Sequence, residues 1–417
     1  MRKKGILAAL AAAALAVAPV LSGSGVHAAG STVIHGITFA TGTNNCTGPI
    51  VPVYGSSALK SFILKAAADY CNNTSANPTH IDVEYASGGD SCPGVDWAAD
   101  YNDNNELGVS DVYAPGCAGS FARSSAKIVD SQVSVNAVES IAQCPGASTP
   151  QGGSPNAPAS ATQCAGNGSG AAGSDTFPAP NNESVQAAQL LWNGTDSDYG
   201  QIGGTSGAAP TLQQRSPGSG TRATWCFNLY GPGLDGSCAN SSAAGTAATT
   251  GVELGDVCGN PYAAGGPAAP ADPNGTIGYS SRGGVTVDPR QPSGGLLPVA
   301  GCGIVQLNGQ DGYNRNCNPA GTTASSPYSG INSESGAPTC NGDLQVATGS
   351  YPTWGYEHLD YNSSGATSAA SAFVTYVNTN ATAQTDFRTY GFMQNCQMLQ
   401  TRATDAGPYS ASPGASC

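Results

Sequence analysis

The sequence predicts an α/β fold, on three observations. Short β-patterned runs alternate with amphipathic helical runs along the chain. Stretches rich in Gly, Ser, Ala, Asn and Pro separate them and read as surface insertions. No regular repeat is present, which excludes solenoids and propellers.

In chain order, Ile50-Val51-Pro52-Val53-Tyr54 is a short strand. Ser57 to Cys71 is a helix, because Leu59, Phe62, Ile63, Ala66, Ala67 and Tyr70 fall on one face. Ile81 to Tyr85 alternates as a strand, and Leu107-Gly108-Val109 is another. The Asp and Asn residues between Asp96 and Asn105 lack calcium-loop spacing and read as a solvated loop. Gln132 to Ala142 is β-rich, Ser184 to Trp192 and Thr221 to Tyr230 are helices, Thr276 to Tyr279 is a strand, and Ala366 to Val377 is a helix. The insertions are 145–180, 236–273 and 314–338.

Residues 1–29 read as a secretory signal peptide. Met1-Arg2-Lys3-Lys4 is basic, an apolar run extends from Ile6 to about Leu21, and small residues lead to Val26-His27-Ala28-Ala29. The run is shorter than the roughly 20 apolar residues of a spanning helix. No Cys follows it to carry a lipid, and no later segment is long and apolar enough to cross a bilayer. The expectation is an exported protein (periplasmic, cell-surface or secreted). Its mature part of roughly 390 residues makes two or three domains, or two lobes of one unit.

Charged residues are 10% of the chain, the net charge is −13 and the pI is about 4.5. That excludes a nucleic-acid-binding role for the whole protein, which would need a basic footprint. Any anion site must rely on local donors working against the overall field. The 14 Cys form an even set, so an exported chain could hold seven bridges. Cys226–Cys238 and Cys302–Cys317 are candidate local closures, and the connectivity stays open. No C-x-x-C or zinc-finger spacing occurs, and His35, His80 and His358 form no triad or metal pattern. Trp97, Trp192, Trp225 and Trp354 are expected in the core.

The strongest chemical signal is Arg215-Ser216-Pro217-Gly218-Ser219-Gly220-Thr221-Arg222 ahead of a helix. Glycines let a ligand approach the backbone, Ser219 and Thr221 offer hydroxyls, and a helix start offers orphan N–H groups to an anion. Arg215 can add a charged fork. Such a turn is also an ordinary helix cap when it stands alone. Three further turns accompany it: Tyr54-Gly55-Ser56-Ser57-Ala58-Leu59, Tyr85-Ala86-Ser87-Gly88-Gly89-Asp90-Ser91 and Gly108-Val109-Ser110-Asp111.

In that order these segments resemble the periplasmic phosphate-binding proteins of ABC transporters, the PstS-like family. Leu191-Trp192-Asn193-Gly194, Ile277-Gly278-Tyr279 and Tyr351-Pro352-Thr353-Trp354-Gly355-Tyr356 extend the resemblance over roughly residues 50 to 395. It implies a two-lobed type II periplasmic binding-protein fold, with the ligand cleft between lobes joined by crossing strands. The expected division is 30–130 in lobe one, 131–275 in lobe two, and 276–417 returning to lobe one with a C-terminal extension. Ser56, Ser57 and the backbone of Ala58 and Leu59 would hold oxyanion oxygens from one lobe. Asp111 would accept a ligand P–O–H, which rewards a protonated oxyanion over sulfate. Arg215, Ser219, Gly220 and Thr221 would close the cage from the other lobe.

The pattern departs from the family at two places. Asp90 stands where the family has Ser, with Ser91 next, so either residue could face the ligand. Cys92-Pro93 replaces a Gly-rich helix start, and Pro217 stands where relatives carry an acidic residue. Arg222 is expected behind the site or at the surface. The implied function is capture of inorganic phosphate, or a close tetrahedral oxyanion, for an ABC permease, with no cofactor and no metal. A secreted phosphatase on the same scaffold, with Ser57 or Ser219 as nucleophile, is one alternative. An extracellular surface or matrix protein retaining the fold is the other.

Overall fold

The computed structural model describes residues 30–41, 46–86, 89–100, 105–117, 128–143, 182–231, 246–247, 276–281, 302–310, 312 and 345–411, apart from 205, 208, 209, 216, 217, 366, 367 and 406. The signal-peptide segment and most of the three insertions lie outside these residues.

A hairpin of β1 (Gly30–Ile34) and β2 (Ile37–Thr41) comes first. There follow β3 (Ile50–Gly55), α1 (Lys60–Asn72), β4 (Asp82–Tyr85), α2 (Ser91–Asp100), β5 (Leu107–Ser110) and the long β6 (Ile128–Gln143). The second half brings β7 (Asn182–Glu183), α3 (Val185–Trp192), β8 (Thr211–Gln214), α4 (Gly220–Tyr230), β9 (Thr246–Ala247), β10 (Thr276–Ser281) and β11 (Cys302–Leu307). The chain ends with β12 (Trp354–Asn362), α5 (Ala369–Thr379), α6 (Ala381–Thr389), β13 (Gln400–Thr401) and β14 (Ser410–Ala411).

The main sheet runs β4-β3-β5-β12-β6-β10-β8-β9, with β11 pairing β6 and β7. Strands β4, β3 and β5 are parallel, and β12 lies antiparallel to β5 and β6. On β3, Val51 and Val53 pack with Phe62, Ile63 and Ala66 of α1. The alternate residues face α2: Trp97 donates its indole N–H to the Pro52 carbonyl at 3.3 Å and packs against Tyr54. Both faces are covered, as parallel strands require.

Two cores result. The first joins β3, β4, β5 and α1 with Phe373 and Val377 of α5 and Phe387 of α6. The second gathers Leu191 and Trp192 of α3, Leu212 of β8, Trp225 of α4, Ile277 and Tyr279 of β10, and Val305 and Leu307 of β11. Strand β6 has sixteen residues, about 50 Å of extended chain. It pairs β12 through Ala137 and β10 from Val138 onward. Val133 lies in the first core and Val135 in the second, and β12 crosses likewise, with Leu359 in the first and Trp354 in the second. Two strands thus pass between the cores. All four tryptophans are buried, as expected.

The segment read as a loop between Asp96 and Asn105 is partly helical, because α2 runs to Asp100. Cys92, Val95, Trp97, Ala98 and Ala99 are buried at helical spacing. Pro93 is tolerated because it sits in the first turn, where an N–H has no intrahelical partner to lose. Cys46–Cys71 ties the entry of β3 to α1, and Cys92–Cys117 ties α2 to the segment after β5. Cys226 and Cys396 are also disulfide-bonded. Cys238, Cys317 and the side chain of Cys302 lie outside the description. No helix among the described residues is long and apolar enough to cross a membrane.

Candidate functional site

Four strand ends and the helices that follow them meet at one point. Gly55 closes β3 at φ 139°, and a Cβ there would stand 2.1 Å from the Val109 carbonyl oxygen. Only glycine lets β3 and β5 approach so closely while the chain turns through Ser56 to Leu59 into α1. Ser56 N–H donates to the Val109 carbonyl at 2.9 Å, which fixes that turn. Tyr85 at the end of β4 places its hydroxyl on the Ser56 carbonyl at 2.5 Å and the Gly55 carbonyl at 2.9 Å. Helix α2 begins at Ser91 and α4 at Gly220, capped by the Ser219 hydroxyl.

The turn that leaves β3 and the starts of α2 and α4 therefore converge on one small pocket. It is lined by Ser56, Ser57, Asp90, Ser91 and Asp111 from the first half, and by Arg215, Ser219, Gly220 and Thr221 from the second. The two walls touch. The Cys92 N–H donates to the Gly218 carbonyl at 3.1 Å, and a Cβ on Gly220 would stand 2.2 Å from Ser91 Oγ. A small apolar cluster of Val95, Val112, Ala223 and Phe227 closes the contact behind.

Three of the serine hydroxyls, those of Ser56, Ser91 and Ser219, are oriented by the chain's own N–H groups. Ser56 Oγ accepts from Ala58 N–H (3.2 Å), and Ser91 Oγ from Asp111 N–H (3.1 Å). Ser219 Oγ accepts from Arg222 N–H and from Arg215 Nε, both at 3.4 Å. A hydroxyl whose lone pairs are engaged has its proton left to donate. That arrangement suits a bound anion better than an activated nucleophile, whose proton must face a base. Asp111 is the oriented acceptor. Its Oδ2 takes the Thr221 hydroxyl proton at 2.9 Å, and its carbonyl takes that of Thr224 at 3.0 Å. Burial and then the Asp90 charge push the Tyr54 phenol up; burial and then Asp111 push Tyr85 well up. Both therefore stay neutral beside the carboxylates.

Of the residues expected to hold the ligand, Ala58 and Leu59 are the two that do not line the pocket. Ala58 turns its N–H to Ser56, and Leu59 is buried in the first core. Asp90 and Ser91 both line it. Arg222 is buried behind the pocket, its Nη1 donating to the Arg215 carbonyl at 2.9 Å.

Sequence reasoning missed several supports. Thr224 lies one turn beyond Thr221 and could have been found from helical spacing. Tyr85 ends a recognised segment but carried no sign of its role. Asp405, whose Oδ2 accepts the Tyr113 N–H at 2.8 Å, is 292 residues away and leaves no local signal. The same holds for the buried pair of His358 Nδ1 and Asp130 Oδ1, 2.5 Å apart beneath Tyr113.

No protein-family model and no curated protein sequence matches the chain. Solved structures do. One is a putative phosphate ABC transporter substrate-binding protein with bound phosphate from Clostridium perfringens. It is 11% identical over 83% of this chain and 99% of that one, with a TM-score of 0.50. An ABC-type phosphate transport receptor from Vibrio cholerae is 12% identical over 82% and 99%, with a TM-score of 0.43. PstS from Borrelia burgdorferi is 12% identical over 83% and 98%, with a TM-score of 0.39. The first of these shows the fold: this chain shares its two-lobed α/β architecture, as the motifs implied.

Proposed function

We propose that the protein is an extracytoplasmic solute-binding protein that captures inorganic phosphate, or a close tetrahedral oxyanion, and passes it to an ABC permease. The observation that carries this reading is the pocket between the two cores. Two helix starts, Arg215 and proton-donating serines converge there around one oriented acceptor, Asp111. Helix N-termini and a guanidinium favour an anion, and a carboxylate among them selects one that still holds a proton. The fold shared with a phosphate-bound substrate-binding protein supports the same assignment. Binding without turnover agrees with serines held as donors. In this reading Ser56, Ser57, Ser91, Ser219 and the backbone of Gly220 and Thr221 hold bare oxygens, Arg215 adds charge, and residues 1–29 direct export.

Calorimetry on the ligand-stripped mature protein tests it. Phosphate should bind at micromolar Kd or tighter and sulfate should not. A charge-assisted hydrogen bond contributes about 1.5–3 kcal/mol, so Arg215→Ala should weaken phosphate roughly 10- to 150-fold. Asp111→Ala should weaken it at least as much, and should admit sulfate. A folded protein that ignores phosphate would refute the reading.

A further inference from the structure

We propose that this pocket takes phosphate as the monoanion, with Asp90 and Asp111 each sharing a proton with one phosphate oxygen. The proposal rests on the phosphate-binding reading and goes beyond it by fixing the protonation state of the bound species.

Asp90 and Asp111 line the same small pocket with a single guanidinium, Arg215. The Asp90 carboxylate stands at the contact between the walls, its Oδ2 3.3 Å from where a Cβ on Gly218 would lie. A carboxylate can only accept, so each one that meets the ligand needs an O–H opposite it. Dihydrogen phosphate has two such groups; the dianion has one and would set a bare oxygen against a carboxylate.

The charges agree. The lining side chains sum to minus one, and each helix start supplies about half a positive charge. Those of α2 and α4 offset that charge, so the pocket opposes a dianion more strongly than a monoanion. The groups packed around the carboxylates do not change this. Tyr54 on β3 and Tyr85 on β4 are held neutral by burial and by the carboxylate charges. The Tyr279 hydroxyl on β10 accepts the Arg215 N–H at 3.2 Å. Lys60 of α1 does not line the pocket and stands 6.0 Å from the centre of the Tyr85 ring. Arg222 is turned to the Arg215 carbonyl, and Glu357 on β12 takes the Asn136 amide at 2.6 Å.

The test is calorimetry with inorganic phosphate from pH 6 to 9, repeated in buffers of different ionisation enthalpy, on the native chain and on Asp90→Asn. Above the second pKa of phosphate, the native protein should take up close to one proton per phosphate. Its Kd for total phosphate should rise about tenfold per pH unit. In Asp90→Asn an amide N–H can meet the bare oxygen, so proton uptake and the pH slope should both disappear while binding persists. Thermal melts over the same range separate loss of binding from unfolding. A flat Kd without proton uptake in the native protein would overturn the proposal, as would an unchanged slope in a folded Asp90→Asn. Failure to bind phosphate at every pH would instead overturn the functional reading on which it rests.

Discussion

Glu183 is 1% exposed on β7, and its Oε1 accepts the Ser140 hydroxyl at 3.2 Å. Burial pushes its carboxyl from 4.5 up to about 8, against the smaller opposite pull of that hydrogen bond. Between those values the folded chain keeps a proton that the unfolded chain has released. Its contribution is therefore fully present below about pH 4.5 and is lost as pH rises toward 8. The loss is about 1.4 kcal/mol for each pH unit in that window. Glu183→Gln preserves the shape and removes the titration. It should leave stability near native at pH 5 and raise it at pH 8, read as the shift of the urea midpoint at each pH. An equal native-to-variant difference at both would show that the carboxyl is not held protonated. Asp360, fully buried beside Asp130, is raised by burial and then by that neighbour's charge, and acts in the same direction.

Helix starts are the elements that build the site, and their contact depends on the absence of one side chain. Alanine at position 220 would favour helix α4 by up to about 1 kcal/mol. Its Cβ would nonetheless meet Ser91 Oγ at 2.2 Å and Asp111 Cβ at 2.9 Å. Gly220→Ala should fold with a thermal midpoint near native, yet lose phosphate affinity by more than about tenfold because the walls cannot meet. Unchanged affinity in calorimetry would show that binding does not need this contact. Helices α1 and α4 were legible in the sequence because each is a local pattern: a strand, a small-residue turn and a helical period within twenty residues. Strand β12 was not. Its Glu357, His358 and Asp360 are buried and answered across the sheet rather than by alternation, as His358 is by Asp130. Helix α2 was obscured by Pro93 and by Asp96, whose acidity reads as a loop when the burial of Trp97 is unknown.

Across the whole molecule, pairings distant in sequence hold the two walls in register, and these were the least legible. The C-terminal segment links them. Arg402 Nη1 donates to Asn228 Oδ1 of α4 at 2.7 Å, and Asp405 takes the Tyr113 N–H two residues beyond Asp111. The Arg402 guanidinium lies 4.1 Å over the Trp354 ring. Net charge, in contrast, is read directly from the composition, and it makes its own prediction. At −13 the chain as a whole repels an approaching anion. Removal of Arg2, Lys3 and Lys4 with the signal segment would deepen that field. Salt screens the long-range repulsion, with a Debye length of about 10 Å at 0.1 M and about 30 Å at 0.01 M. The short bonds inside the pocket are screened much less. The phosphate association rate, followed by stopped-flow tryptophan fluorescence, should therefore rise as potassium chloride goes from 0.01 to 0.1 M, while dissociation changes little. A rate that falls with salt would mean that a local positive field around Arg215 dominates the approach, and that the acidic surface does not set the encounter.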